Sequence, residues 1–158
     1  MEKIMRFISV MFLSVCMFSC LEAGLDELPV YTEADITDFR FEYRYDNPDK
    51  IWPDGSNVIE FVRLTTEKQV FDNEKMEISL TVRVPTAGGT FSEDEREKVF
   101  LSNLVGYCYI STAASVKPIE GSPKLGASGD YSFPVRYMIT AADGKTSKIW
   151  TIHIILVK

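Results

Sequence analysis

The sequence is short of the residues that most chemistry needs. Its 158 positions hold one histidine, His153, and three cysteines, two of them among the first twenty residues. General-base catalysis through His153 would require a nucleophile and an orienting carboxylate beside it, and the sequence identifies neither. A surface or inter-strand histidine is the expectation, and no enzymatic activity is read from the chain. So few imidazoles and thiols leave a transition-metal site short of ligands, so neither a metal nor another cofactor is expected. Gly88-Gly89 follow Pro85 in a turn and open no G-x-G-x-x-G or Walker pattern. Basic charge is scarce as well, with 17 Lys and Arg against 23 Asp and Glu and a net charge of −6. Binding nucleic acid without regard to sequence needs a dense basic surface, so no nucleic-acid partner is expected. A membrane-spanning run is also missing. Phe7 to Phe18 is uncharged but only twelve residues long, against the roughly 20 that a spanning helix needs. With 46% hydrophobic and 25% charged residues, the remainder has the balance of a folded domain, not of a disordered chain.

The short apolar run carries information of its own. Lys3 and Arg6 precede it and Ser19-Cys20 closes it, which are the proportions of a secretory signal peptide. A buried N-terminal strand or helix is the competing reading. Met17-Phe18-Ser19-Cys20, with a small residue just before the cysteine, resembles the lipobox of bacterial lipoproteins. The resemblance implies cleavage after residue 19 and lipidation of Cys20. Acyl chains at about 0.8 kcal/mol per buried methylene would then anchor the chain to a membrane. Ordinary cleavage with Cys20 left free is the alternative. Residues 1–19 are accordingly read as a signal peptide and 20–35 as a lipidated acidic tether containing Pro29. Residues 36–158 are the folded domain, with no second domain after them. Cys16 leaves with the signal, so Cys108 has no partner and no disulfide is expected. In its apolar run (VGYCYI) Cys108 reads as a small, inert core residue.

Beyond residue 35 the dominant pattern is alternation with a period of two. Phe39, Phe41, Tyr43 and Tyr45 alternate with Asp38, Arg40, Glu42 and Arg44. The same holds for Met76, Ile78, Leu80, Val82 and Val84, for Tyr131 to Ile139, and for Trp150 to Leu156. Each run predicts a half-buried antiparallel strand, with Trp150 in the core. Val58–Thr65 and Val105–Ser111 are further strands whose inward face is not evident. Asp143-Gly144 predicts a hairpin over 131–157, and Pro134 places its strand at an edge or bulge. One or two helical turns are expected over Ser92–Asn103, capped by Ser92 with Glu95 at the capping-box position. Phe100, Leu101 and Leu104 should then face the sheet. About seven short strands separated by turn signals predict an all-β, antiparallel two-sheet sandwich with one short helix.

One polar loop stands out as a candidate site. Asp46–Asn57 (DNPDKIWPDGSN) offers the oxygens of Asp46, Asn47, Asp49, Asp54 and Asn57, but their spacing is not that of a calcium loop, and Pro48 and Pro53 suggest turn-making instead. Trp52 in that loop is the better candidate. An exposed indole flanked by polar groups suits a sugar ring or a partner protein. Trp52, Asp49, Asp54 and Asn57 are therefore the candidate ligand-binding residues. The competing reading folds Trp52 back over the end of the sandwich.

Several pieces taken together resemble a known family. They are Ile36-Thr37-Asp38-Phe39 after the acidic tether; Pro118, Gly121 and Pro123; Asp130-Tyr131 with Pro134; Ala142-Asp143-Gly144; and Trp150-Thr151-Ile152. They are similar to the Ig-like domain of unknown function found in cell-envelope lipoproteins of gut Bacteroidetes. The resemblance implies an Ig-like sandwich on a surface-facing outer-membrane lipoprotein, and it supplies no catalytic residues. The function expected is that of a non-catalytic binding or accessory module, with a glycan or an envelope protein as partner. The alternative is an assembly lipoprotein that pairs with a protein partner through an edge strand.

Overall fold

The computed structural model describes residues 30–158, so the expected signal peptide and Cys20 lie outside the described residues. The chain forms nine strands: β1 (Ile36–Ile51), β2 (Asn57–Arg63), β3 (Thr65–Asp72), β4 (Glu77–Arg83), β5 (Leu104–Ile110), β6 (Ser115–Ile119), β7 (Ser128–Gly129), β8 (Val135–Thr140) and β9 (Ser147–Val157). They make two sheets, one of four strands in the order β2-β1-β5-β7 and one of five in the order β3-β4-β9-β8-β6. The inward faces pack together as the predicted two-sheet sandwich. Among the described residues no helix is long and apolar enough to cross a membrane.

Alternation explains the core. Phe39, Phe41, Tyr43 and Tyr45 of β1 are buried, and so are Ile78, Leu80 and Val82 of β4, Val135, Tyr137 and Ile139 of β8, and Trp150 and Ile152 of β9. Trp150 is fully buried and donates from Nε1 to the carbonyl of Ala34 at 3.1 Å. The last residues assigned to the tether are thereby docked on the sandwich. Ala34 is buried, and Asp35 pairs with Lys148 at 2.6 Å. The β8–β9 hairpin closes as the Asp143-Gly144 signal predicts. The Asp143 carboxylate accepts from the backbone N–H groups of Lys145 and Thr146, while Gly144 takes φ +66°.

Four expectations need correction. The β4–β9 pair is parallel, register Glu77↔Thr151 through Arg83↔Val157. A parallel pair needs a long crossover, and here the whole of residues 84–146 supplies it, so alternation alone could not reveal the direction. Second, β8 begins only at Val135 and lies inside its sheet, between β9 and β6. Pro134 therefore stands ahead of the strand, not at an edge within it. Asp130 turns the chain there by accepting from the N–H and hydroxyl of Ser132, which leaves Tyr131 buried and Phe133 exposed. Third, the expected helical turns form, as α1 (Glu93–Glu97) and a separate 3₁₀ turn at Leu101–Asn103, but the capping box at their start does not close. Ser92 caps α1 through the Glu95 N–H at 3.1 Å. The Glu95 carboxylate reaches Tyr43 and Lys98 instead of returning to the cap. Fourth, Phe100 is exposed under the Lys158 ammonium, 4.5 Å from its ring centroid, and Val99 takes the buried place.

Candidate functional site

The candidate loop closes the β1–β2 hairpin. Trp52 N–H donates to the Ser56 carbonyl and Gly55 N–H to the Trp52 carbonyl, both at 2.8 Å, with Gly55 at φ +84°. Trp52 stands out from this turn with 56% of its surface exposed, so it does not fold back over the sandwich. Most of the loop's polar side chains are engaged within the loop itself. Asp54 accepts from both the N–H and hydroxyl of Ser56, which hold its carboxyl below the usual range. Asn57 donates to Asp46 at 2.9 Å, and the Asp49 N–H donates to Asn47 at 2.7 Å. Among the described residues no hydrogen bond joins any two of Trp52, Asp49, Asp54 and Asn57. Nor is any group of three or more His, Cys, Asp or Glu among them placed to hold a metal ion. His153 is exposed on β9.

Asn47, from the same loop, turns inward to a polar cluster at this end of the sandwich. Its amide and the Thr90 hydroxyl both donate to Glu60 of β2, Tyr45 lies 3.4 Å away, and Lys50 approaches within 3.6 Å. The hydroxyl first, then the amide, hold the Glu60 carboxyl below its ordinary value near 4.5. A carboxyl depressed in the folded state stabilises the fold above its unfolded pKa, and that contribution is lost as pH falls through the folded value. Glu60→Gln should therefore lower the urea midpoint at pH 7, and the gap from the parent should be narrower at about pH 3, below the ordinary carboxyl range. A gap of the same size at both pH values would mean that the charge of Glu60 does not matter.

The larger concavity lies elsewhere, on the outer face of the four-stranded sheet. A groove of about 780 Å³ is lined by Arg40, Glu42 and Arg44 of β1, by Ile59, Phe61 and Arg63 of β2, and by Tyr107 and Tyr109 of β5, among others. Ile59, Phe61 and Tyr109 are 64%, 53% and 59% exposed, a large apolar area for an outward face. The floor is rigid. Tyr107 donates to the nearly buried Glu42, and Arg44 bonds Glu42 at 2.8 Å, Tyr107 at 2.7 Å and the Gly126 carbonyl at 3.2 Å. Burial, and then Glu42, push the Tyr107 phenol up, so it stays a neutral donor across the physiological range. Arg40 lies 5.7 Å from the Tyr109 ring and Arg63 5.5 Å from the Phe61 ring. Cys108 also lines the groove; burial pushes its thiol up to about 11, which makes it a poor nucleophile.

Sequence reasoning missed this face because it read Arg40, Glu42 and Arg44 as the solvated side of a strand. The available signal was in the neighbours. Asn57–Arg63 and Leu104–Ile110 carry large apolar or aromatic residues at both parities, as happens when both faces of a strand are used.

The fold and this face define a class: a small β-sandwich domain with one concave, aromatic-bearing sheet. The chain belongs to the DUF5018-related family, which matches residues 36–153. It is similar to the crystal structure of a candidate secreted protein from Bacteroides fragilis, with 42% identity and a TM-score of 0.74. The match covers 82% of this chain and 100% of that one. A looser likeness is to a candidate glycoside hydrolase from Bacteroides thetaiotaomicron, with 21% identity and a TM-score of 0.47, covering 85% of this chain and 28% of that one. No curated protein matches the chain.

Proposed function

We propose that this chain is a surface-facing outer-membrane lipoprotein, anchored through Cys20, whose Ig-like sandwich is a non-catalytic carbohydrate-binding module. The observation that carries this reading is the composition of the groove. Exposed aromatic rings give the C–H faces of a sugar a flat apolar surface. Guanidinium groups and a phenol supply planar, directional hydrogen bonds to its hydroxyls. Along β1, Tyr109 stands opposite Asp38 and Phe61 opposite Arg44. That offset of six residues amounts to about 20 Å at ~3.4 Å per residue, a length suited to an oligosaccharide and not to a single sugar. Trp52 caps the hairpin that supplies Ile59 and Phe61, where it can extend the same surface.

The test is a binding screen of the full chain, in a detergent free of sugar headgroups, against soluble polysaccharides. One polysaccharide class should be retained, and Phe61→Ala and Tyr109→Ala should each weaken retention by about tenfold, the range found for stacked aromatic anchors. Trp52→Ala should leave folding intact and weaken binding less. Cys20→Ala should move the chain from the membrane fraction to the soluble fraction. Binding indifferent to all three aromatic substitutions would sink the groove assignment. One observation favours a second reading, assembly through an edge strand. β2 is an outer strand without lysine or proline to discourage pairing. Silence toward every polysaccharide, with an envelope protein captured by the parent and not by Ile59→Lys, would select it.

A further inference from the structure

We propose that the saccharide recognised by this groove is acidic, with its carboxylate or sulfate groups held by Arg63; this rests on the carbohydrate reading above. Three arginines and two glutamates line the groove, a locally positive balance on a chain of net charge −6. The arginines are not equivalent. Arg40 is paired with Asp38 at 2.6 Å and Arg44 with Glu42 at 2.8 Å. Arg63 has no carboxylate partner among the described residues and is exposed, its guanidinium lying over the Phe61 ring.

The register explains why. Arg63 stands opposite Glu42 on the β1–β2 ladder. The Glu42 carboxylate is turned away to Arg44 and to Tyr107 on the other side of β1. Its natural cross-strand partner is thus already engaged, which leaves a planar fork of donors facing outward beside an aromatic ring. A guanidinium fork matches a carboxylate or sulfate in bidentate fashion. Phe61, directly opposite Arg44, places a stacking surface one step along from that anion site. Arg63 and Arg40 also line a second, smaller hollow of about 340 Å³, so the two guanidiniums lie between adjoining concavities. Arg40 is neutralised there by Asp38, so Arg63 is the unpaired guanidinium that an acidic polymer running along the face would meet. The negative charge of the chain as a whole opposes indiscriminate attraction of polyanions, so recognition of one must come from this local arrangement.

The experiment compares matched polymers on the full chain: polygalacturonate against its methyl ester, and dextran sulfate against dextran, with parent, Arg63→Gln and Arg63→Lys. The acidic member of at least one pair should bind about tenfold or more tighter than its neutral counterpart. Arg63→Gln should abolish that preference, weakening the acidic polymer about tenfold more than the neutral one, while Arg63→Lys, which keeps the charge but not the fork, should restore only part of it. The pair that responds tells carboxylate from sulfate. Equal affinity within both pairs, or a preference untouched by Arg63→Gln, would overturn this proposal. Aromatic-dependent binding of a neutral glycan would then leave the carbohydrate reading standing. Silence toward all four polymers and toward the wider polysaccharide screen would overturn both.

Discussion

Trp150→Ala is expected to destabilise the domain by about 3–5 kcal/mol, the range for a large aromatic truncated in a packed core. The indole is fully buried, meets Phe71 edge-on at 6.4 Å between centroids, and holds the Ala34 carbonyl. Its removal opens a cavity at the centre of the five-stranded sheet. It also strips the buried approach to β1 of a hydrogen bond. The urea midpoint, followed by tryptophan-independent circular dichroism, is the measurement. A loss below about 1 kcal/mol would mean the core closes over the gap and that Trp150 is not central to it. Trp52→Ala gives the contrast: an exposed turn residue changes stability by no more than about 0.5 kcal/mol.

The second large effect concerns a glycine. Gly106→Ala in β5 places a methyl group 2.6 Å from the Tyr131 hydroxyl, 3.0 Å from its Cζ and 3.2 Å from the Phe39 ring. Both rings are buried, so neither can swing clear into solvent. The Tyr131 hydroxyl also accepts from the Gly106 N–H at 3.2 Å, a bond that the displaced ring would lose. Overpacking together with a broken buried hydrogen bond predicts a loss of about 2–4 kcal/mol. Gly106→Ala combined with Tyr131→Phe removes the colliding oxygen. Its stability should therefore exceed the sum of the single effects by at least about 0.5 kcal/mol in a double-mutant cycle. Strict additivity would locate the damage elsewhere in β5.

These two residues also mark how far the fold was legible in the sequence. Trp150 announces itself because a tryptophan alternating with aliphatic residues has one place to go in a sandwich. Gly106 does not, because its role lies in a contact with a ring 25 positions away. The same division runs through the strands. β1, β4 and β9 carry clean alternation. β3, with Glu67 and Lys68 in an outer strand, and β6, with Pro118, do not. Outer strands tolerate charge and proline because one of their sides needs no ladder partner, and that tolerance erases the pattern a reader looks for. The candidate site divides likewise. Trp52 was visible because a tryptophan in a polar loop is conspicuous. The groove was not, because it assembles Arg40, Phe61, Arg63 and Tyr109 from three strands, and each of them taken singly passes for an ordinary surface residue.

The position of β9 has a consequence for how the chain comes to be folded at all. It is the middle strand of its sheet, yet it is synthesised after every strand it joins. Until residues 147–157 arrive, β4 and β8 have nothing between them, and the inner face built on Leu80, Val135 and Tyr137 has no centre. Pairing of such separation in sequence is slow to form, so the β4–β9 ladder, and with it the five-stranded sheet, is completed late. On the export proposed above, this late keystone has a use. It leaves the five-stranded sheet incomplete until β9 has crossed.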